Sequence, residues 1–346
     1  MENKIGRGLV KGLLVFASVL ILAGAFGVEA QAAKLNNKTL VLDTGVRHKL
    51  RVKGTKKAIK WSSSDKRIAS VSKKGNVRAR RAGEVIITAK YGKKKLTCKV
   101  TVRKPMQYYA HRGFRSQYPE NTIPSFTGAM KAGFNGIEID VFEAKNGEIL
   151  VFHDETTDRM CKRNGSIYDI TVNNRDKYWI TAGANISKYS SKSKRLYIPT
   201  LEETIKSVKK RNARVYIHLK GLPQITDVGV AKIEQVLRKH KMVDRSIVFA
   251  GNGNVVKRFE RRGLNVGLNV TSLTTTTADE KLTESIAIGA KSMIIFHPAD
   301  ATKKIVRRAR KAGIEIGVYN VKTKAQAKRL RNMGVDFVFS DFALFK

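Results

Sequence analysis

Eight short apolar runs recur along residues 105–346, and most of the stretches between them are compatible with helices. This alternation predicts a parallel sheet, because parallel neighbours need a connection long enough to hold a helix. Eight strands over 242 residues suit a closed (β/α)8 barrel, so the predicted fold class is α/β. The predicted strands are 106–110, 136–141, 214–219, 246–250, 265–270, 292–296, 314–319 and 335–340. The predicted helices include 123–132, 201–210, 230–239, 302–312 and 324–333.

The second of these runs alternates acidic and apolar residues, so Glu138 and Asp140 project from the same strand face. Two carboxylates on one face repel each other unless a cation lies between them. The pair Asn146-Gly147 follows, and a further strand-like run then ends at His153. Asn-Gly predicts a two-residue hairpin turn, in which positions summing to 293 face each other and His153 lies opposite Asp140.

A second histidine, His111, ends the first predicted strand and is followed by Arg112 and Gly113. Active sites of (β/α)8 barrels lie at the carboxyl ends of the strands, where His111, Glu138 and Asp140 all fall. Two histidines, two acids and one arginine are a set of side chains suited to handling phosphate.

Five motifs, taken in order, resemble the glycerophosphodiester phosphodiesterase family over residues 105–346. They are His111-Arg112-Gly113, Pro119-Glu120-Asn121-Thr122, Glu138-Ile139-Asp140, His153-Asp154 and Ile198-Pro199-Thr200-Leu201-Glu202. The resemblance implies a TIM barrel that hydrolyses glycerophosphodiesters to sn-glycerol 3-phosphate and an alcohol. It also implies a divalent metal cation, Ca²⁺ or Mg²⁺.

The resemblance assigns a role to each matching residue. It implies that His111 and His153 are the acid/base pair and that Glu138 and Asp140 bind the metal. The implied substrate contacts are Arg112 and Lys220 on phosphate and Tyr319 on glycerol, while Glu120 orients a histidine or approaches the metal. Structural alternatives stay open. The two acids balance Arg112 and Lys220, or Arg112 merely pairs with Glu138. Arg159 is a weaker phosphate candidate whose alternative is a place at the surface, while Tyr319 belongs to the barrel core and Asp341 caps a helix or turn.

One departure from the family pattern lies at the end of the third barrel strand. The family has Glu-x-Lys there, whereas this chain has His218-Leu219-Lys220. Replacing a carboxylate ligand by an imidazole favours Mn²⁺, Fe²⁺ or Zn²⁺ over Ca²⁺. Three hypotheses follow: altered metal preference, lost activity with binding retained, or a histidine that does not bind metal.

Residues 155–199 show no sustained period and are predicted to be an insertion over the barrel mouth. Because this insertion would shape access to the site, the sequence does not decide between related substrates. Phospholipase D-like cleavage of lysophospholipids and cleavage of glycerophosphate polymers are two such activities on the same barrel. A non-catalytic envelope-binding protein is the alternative from another functional class.

The amino-terminal residues 1–33 resemble a secretory signal. Lys4, Arg7 and Lys11 precede an apolar run over residues 12–28, and small residues follow up to Ala33. We therefore expect an exported protein, secreted or associated with the cell envelope. The apolar run also approaches the length of an uncleaved anchor.

Residues 34–104 form a separate unit of short alternating runs, which predicts a small β-sandwich. Its motifs, residues 59–65, 68–71, 75–77 and 82–88, are similar to the bacterial group 2 immunoglobulin-like domain. The unit holds 23 Lys and Arg against three Asp and Glu, within a chain of net charge +40. Such a field attracts polyanions, so anionic envelope polymers or lipid head groups are expected partners. The sequence contains no specific nucleic-acid-binding motif. The alternative to a bound partner is that the charge only keeps a generally basic exported protein soluble.

Overall fold

The computed structural model describes residues 32–221, 225–271 and 277–345. The chain divides into two compact units, with the boundary between Arg103 and Lys104. Almost all of the predicted signal, residues 1–33, lies outside the described residues. Within the described part of the chain, no helix combines the length and the apolar composition needed to cross a bilayer.

In the described residues of the first unit, the regular elements are all β-strands. A four-stranded sheet has the order β2-β9-β8-β5, a three-stranded sheet has the order β3-β7-β6, and β1 pairs with β4. Alternate residues of β8, among them Val85, Ile87 and Ala89, enter the apolar core of this unit. The strands are β1 Lys34–Leu35, β2 Thr39–Asp43, β3 Arg47–Lys49, β4 Val52–Lys53, β5 Lys60–Ser63, β6 Ala69–Val71, β7 Asn76–Ala79, β8 Gly83–Tyr91 and β9 Lys94–Arg103. The sequence pattern did not predict β1, β3 or β4, because these strands are short and mostly polar.

The second unit is a closed barrel of eight parallel strands. The barrel closes because β10 pairs in parallel with both β11 and β18, which confirms the predicted fold class. The strands are β10 Gln107–Ala110, β11 Gly136–Glu143, β12 Ile149–Val151, β13 Arg214–Leu219, β14 Ser246–Ala250, β15 Val266–Val270, β16 Ser292–Ile295, β17 Glu315–Val318 and β18 Phe337–Ser340. Of these, β12 is the returning hairpin arm, antiparallel to β11. The helices are α1 Ile123–Ala132, α2 Leu201–Val208, α3 Asp227–Lys239, α4 Gly253–Glu260, α5 Ala278–Ile288, α6 Lys303–Lys311 and α7 Lys324–Met333.

Threonine caps fix where most of these helices begin. Six of the seven α-helices in the described residues start after a threonine whose hydroxyl accepts from the third helical amide. Such a cap satisfies an amide that has no partner inside the helix. Helices α1, α5 and α7 end at glycines with positive φ. The parallel pairing of the eight strands places the carboxyl end of each strand at the same face of the barrel.

The hairpin between β11 and β12 differs from its prediction by one residue. Val141 pairs with Val151, and the Phe152 amide donates to the Asp140 carbonyl at 3.0 Å. The facing positions sum to 292, so the predicted placement of His153 opposite Asp140 is wrong. The Gly147 amide donates to the Ala144 carbonyl, and Gly147 takes a φ of 79°. This turn has three residues with a left-handed glycine at its end, a known alternative to the two-residue turn.

Residues 155–199 contain short 3-10 turns and isolated β-bridges. Ile167, Ile170 and Ile180 are buried together with Phe142 of β11 and Leu150 of β12. The segment therefore has an apolar core of its own, which anchors it to the hairpin at the barrel mouth.

Candidate active site

Polar side chains converge at the carboxyl ends of the barrel strands. His111 directly follows β10, Glu138 and Asp140 lie on β11, and His218 lies on β13. His153 follows β12, Lys220 follows β13, Tyr319 follows β17 and Asp341 follows β18. Contacts among these side chains bring the predicted site residues together at one mouth of the barrel.

Glu138, Asp140 and His218 form the buried centre of the site. Asp140 and His218 are directly paired across β11 and β13. The His218 Nδ1 atom lies 3.2 Å from Asp140 Oδ1 and 4.0 Å from Glu138 Oε1. One ligand atom from each of the three residues lies within 4.8 Å of the others. Both carboxylates are almost fully buried, with exposures of 0% and 1%.

The two buried carboxylates, Glu138 and Asp140, cannot both stay ionised unless nearby positive charge offsets theirs. Burial, together with the charge of Asp140, raises the pKa of Glu138 to about 8. Burial also disfavours the charge of Asp140, but the hydrogen bond from His218 and the charge of Arg112 outweigh it and hold the pKa of Asp140 below its usual range. The Glu138 Oε1 atom is buried and has no hydrogen-bond partner among the described residues. A divalent cation would satisfy that oxygen and the excess negative charge, so the donor set fits one.

Arg112 links the acids of the site. Its amide donates to Glu138 Oε2 at 3.0 Å, and its Nη1 donates to Glu120 Oε1 at 3.0 Å. Its Nε lies 3.3 Å from Asp140 Oδ2 in an ion pair. The backbone of Arg112 has a φ of 54°, which is uncommon for a side chain other than glycine. This strained turn is what aims both the amide and the guanidinium at the acids.

His111 is held by Asp341. Its Nδ1 lies 2.8 Å from Asp341 Oδ1, and Asn320 Nδ2 donates to Asp341 Oδ2 at 3.1 Å. An ionised carboxylate only accepts hydrogen bonds, so Nδ1 carries the proton and Nε2 keeps its lone pair. Burial lowers the pKa of His111, and Asp341 offsets part of that effect. The neutral imidazole is therefore the favoured form at neutral pH.

His153 has a parallel arrangement. Its Nδ1 lies 2.6 Å from Asp154 Oδ1, and its Nε2 lies 3.5 Å from Lys220 Nζ. Burial lowers the pKa of His153, and Asp140 offsets part of the effect. Both histidines thus have an aspartate on Nδ1, which leaves Nε2 for a reacting group.

Tyr319 belongs to both the barrel core and the site. Its ring packs against Phe296, Phe339 and the edge of His111, with centroid distances of 4.5, 4.6 and 4.9 Å. Burial and the nearby charge of Glu138 raise the pKa of Tyr319 well above its usual value. The hydroxyl therefore stays protonated at neutral pH.

Models of two known protein families match the chain, one over each unit. The model of the glycerophosphoryl diester phosphodiesterase family matches residues 111–344, which is more than half of the chain. The chain belongs to the glycerophosphoryl diester phosphodiesterase family. The model of the bacterial Ig-like domain (group 2) matches residues 29–100, so the amino-terminal unit is of that type.

Individual relatives cover the barrel. A glycerophosphodiester phosphodiesterase of Bacillus altitudinis is 28% identical over 243 residues, which cover 68% of this chain and 94% of the relative. One from Caldanaerobacter subterraneus is 28% identical over 234 residues, covering 67% and 92%. An Oleispira antarctica phosphodiesterase, solved with its product sn-glycerol-3-phosphate, has a TM-score of 0.60 at 24% identity, covering 69% of this chain and 94% of that one. At this identity the structural likeness supports the fold.

One predicted residue, Glu120, has contacts other than those expected. Glu120 accepts from the guanidinium of Arg112 and of Arg159 and is paired with Arg115, so its contacts are with arginines. These charges hold the pKa of Glu120 below its usual range despite burial, which acts in the opposite direction. Arg159, from the insertion, is about half exposed and also pairs with Asp154. It joins the insertion to the rim of the site.

Sequence reasoning gave no positioning role to Asp341, Asp154 or Asn121. Asn121 lies two residues before α1, and its Nδ2 donates to Asp140 Oδ2 at 3.1 Å. Asp341 directly follows the last barrel strand, so its place at the mouth was predictable, but its partner is 230 positions away in sequence. Closure of the barrel between β10 and β18 brings the two together.

Proposed function

We propose that this chain hydrolyses glycerophosphodiesters to sn-glycerol 3-phosphate and an alcohol in a metal-dependent reaction. The observation that carries the proposal is the pair of aspartate-held histidines, His111 and His153, beside a buried set of cation ligands. Membership of the family and the names of the relatives support the same substrate class. Both histidines and Lys220 are present, which favours catalysis over a role in binding alone.

A divalent cation would be held by Glu138, Asp140 and His218. When bound, it would neutralise charge that builds up on the non-bridging oxygens of the phosphodiester. Two carboxylates and one imidazole suit Mn²⁺, Fe²⁺ or Zn²⁺ as well as the Mg²⁺ or Ca²⁺ implied by the family. Burial lowers the pKa of His218, with a smaller opposing effect from Asp140, so the neutral imidazole that a metal requires is favoured.

The two histidines handle the protons. One Nε2 accepts the proton of the glycerol hydroxyl next to the phosphate, and that oxygen forms a bond to phosphorus. The phosphorus–oxygen bond to the alcohol breaks, and the other histidine, which enters the step as the imidazolium, gives its Nε2 proton to the departing oxygen. Water then opens the cyclic phosphate as the histidines exchange roles, which yields sn-glycerol 3-phosphate. Asp341 and Asp154 stabilise the imidazolium form of His111 and His153, respectively.

Two basic side chains, Lys220 and Arg112, position the phosphate. Lys220 Nζ lies beside the Nε2 atom of His153, so it can contact an oxygen of a phosphate that His153 serves. Arg112 is already shared between Glu120 and Asp140, and a phosphate at the acid pair would lie against its guanidinium.

We also propose that the protein is exported and acts at the cell envelope. The support is the signal-like segment at residues 1–33 and the group 2 Ig-like domain that follows it. Fractionation of the producing cells tests this proposal: the protein is expected with the envelope or the medium, and recovery in the cytoplasm alone would contradict it.

The activity is tested with the purified chain after metal stripping. Release of sn-glycerol 3-phosphate from glycerophosphocholine and glycerophosphoethanolamine is measured after addition of Ca²⁺, Mg²⁺, Mn²⁺ or Zn²⁺. Release that requires metal and is lost in His111→Ala supports the proposal. Stoichiometric metal binding without release from any glycerophosphodiester would contradict it.

A further inference from the structure

The Ig-like unit carries a large excess of positive charge that its own acids do not offset. All three of its acidic side chains are used in ion pairs within the unit. The pairs are Asp43 with Arg103, Asp65 with Arg67 and Glu84 with Lys99. With 23 basic and three acidic side chains, the unit has an excess of 20 positive charges that its own acids cannot neutralise.

Strand register concentrates part of this charge in one line. Lys60 of β5 lies directly opposite Lys90 of β8, and Lys90 lies directly opposite Lys95 of β9. All three side chains are exposed on the outer face of the four-stranded sheet, since the neighbouring Ala89 points into the core. We call Lys60, Lys90 and Lys95 the lysine row. Adjacent strands lie about 4.8 Å apart, well within the screening length of about 8 Å at physiological salt.

Like charges directly opposite each other destabilise a sheet. The adjoining outward positions are Ser62, Thr88 and Thr97, which supply hydroxyls and no negative charge. The Lys57 ammonium lies beside Gly92, in the turn that joins β8 to β9 at the same end of the sheet. The lysine row is thus a repulsive arrangement that a bound anion would relieve.

We propose that the lysine row binds a linear polymer whose negative groups are phosphodiesters. The partner class rests on the proposed function, because it carries the same chemical group that the barrel would hydrolyse. Ammonium groups in a line match phosphates repeated along a flexible chain. Single-stranded nucleic acid is disfavoured because the outward positions next to the row offer no aromatic ring for stacking. A membrane is disfavoured because the exposed apolar residues of this sheet, Val41 and Ile86, lie beyond the hydroxyl positions.

Binding is measured with the full chain in a His111→Ala background, so that hydrolysis cannot change the probe. The probe is poly(glycerol phosphate), compared with single-stranded DNA of equal charge and with phosphatidylglycerol vesicles. We expect polymer affinity to fall about tenfold or more when all three lysines of the row are changed to serine. The matched control changes Lys53, Lys66 and Lys73 to serine, which removes the same charge from exposed positions outside the row. Its affinity is expected to fall less than about threefold.

Two outcomes would overturn the proposal. Equal losses in the two triple variants would show that net charge alone attracts the polymer. DNA or vesicles that bind as tightly, with the same dependence on the row, would show that the partner class is wrong. Unfolding of the row variant is followed as well, and its melting temperature is expected not to fall, since repulsion has been removed. Glycerophosphocholine turnover, measured separately in the parent with His111 intact, decides the proposed function, whatever the binding result.

Discussion

Substitution of Asp341 by asparagine tests how the site controls its first histidine. Asp341 accepts the Nδ1 proton of His111 at 2.8 Å and is itself fixed by Asn320. Asparagine keeps the size of the side chain but removes the charge that stabilises the imidazolium. If His111 carries a proton during turnover, this loss acts on the transition state more than on the bound substrate.

The size of the effect follows from the bond that is weakened. Hydrogen bonds to charged groups contribute about 1.5–3 kcal/mol, which corresponds to roughly a 10- to 150-fold fall in kcat. KM is expected to change little. Because Asp341 raises the pKa of His111 against the effect of burial, its removal lowers that pKa further. The limb of the pH–rate profile that belongs to His111 should therefore move to lower pH.

The assay is the pH dependence of kcat and of kcat/KM for glycerophosphocholine. Asp336→Asn is the matched control, because Asp336 lies before β18, near the amino end of the strand, and accepts from the Ile316 amide, which asparagine can also do. A fall in kcat with an unmoved pH limb would refute a positioning role, since misfolding alone lowers the rate at every pH. An unchanged kcat would refute the contribution of the Asp341 contact altogether.

Three further predictions concern the cation set and the phosphate. In metal-free protein, the free energy of unfolding should fall as pH rises from about 4.5 to about 8. Folded Glu138 keeps its proton up to about 8, while the unfolded chain releases it near 4.5. Glu138→Gln should remove this pH dependence of the melting temperature, and an unchanged dependence would contradict the prediction. His218→Glu should shift calorimetric affinity and activity toward Ca²⁺ and Mg²⁺, and an unchanged order of metals would exclude His218 as a ligand. Lys220→Met should lower kcat/KM about 10- to 100-fold without changing metal affinity, and normal kinetics would place the phosphate away from Lys220.

The sequence predicts the barrel well because its signals are local. Each strand is a short apolar run, and threonine caps such as Thr122 and Thr323 mark where helices begin. The turn at Asn146-Gly147 shows the limit. The dipeptide predicts a hairpin, yet the choice between two and three loop residues depends on how β12 packs, and a one-residue change alters which side chains face each other.

The sequence predicted which residues lie in the site better than it predicted the contacts between them. The strand-end rule brings His111, Glu138 and Asp140 to one mouth, because parallel strands share a direction. Pairing of side chains depends on barrel closure and on rotamers, which no short motif encodes. For that reason the sequence did not predict that Asp341 contacts His111 or that the partners of Glu120 are arginines.

The central claim is that His111 and His153 divide acid and base catalysis of phosphodiester hydrolysis. The most direct measurement compares the parent, His111→Ala and His153→Ala on glycerophosphocholine and on a glycerophosphodiester whose alcohol is p-nitrophenol, which leaves without needing a proton. We predict that both variants lose at least about 100-fold in rate on glycerophosphocholine and that only the variant lacking the acid recovers on the nitrophenyl substrate. Either variant turning over glycerophosphocholine at the parental rate would contradict the claim.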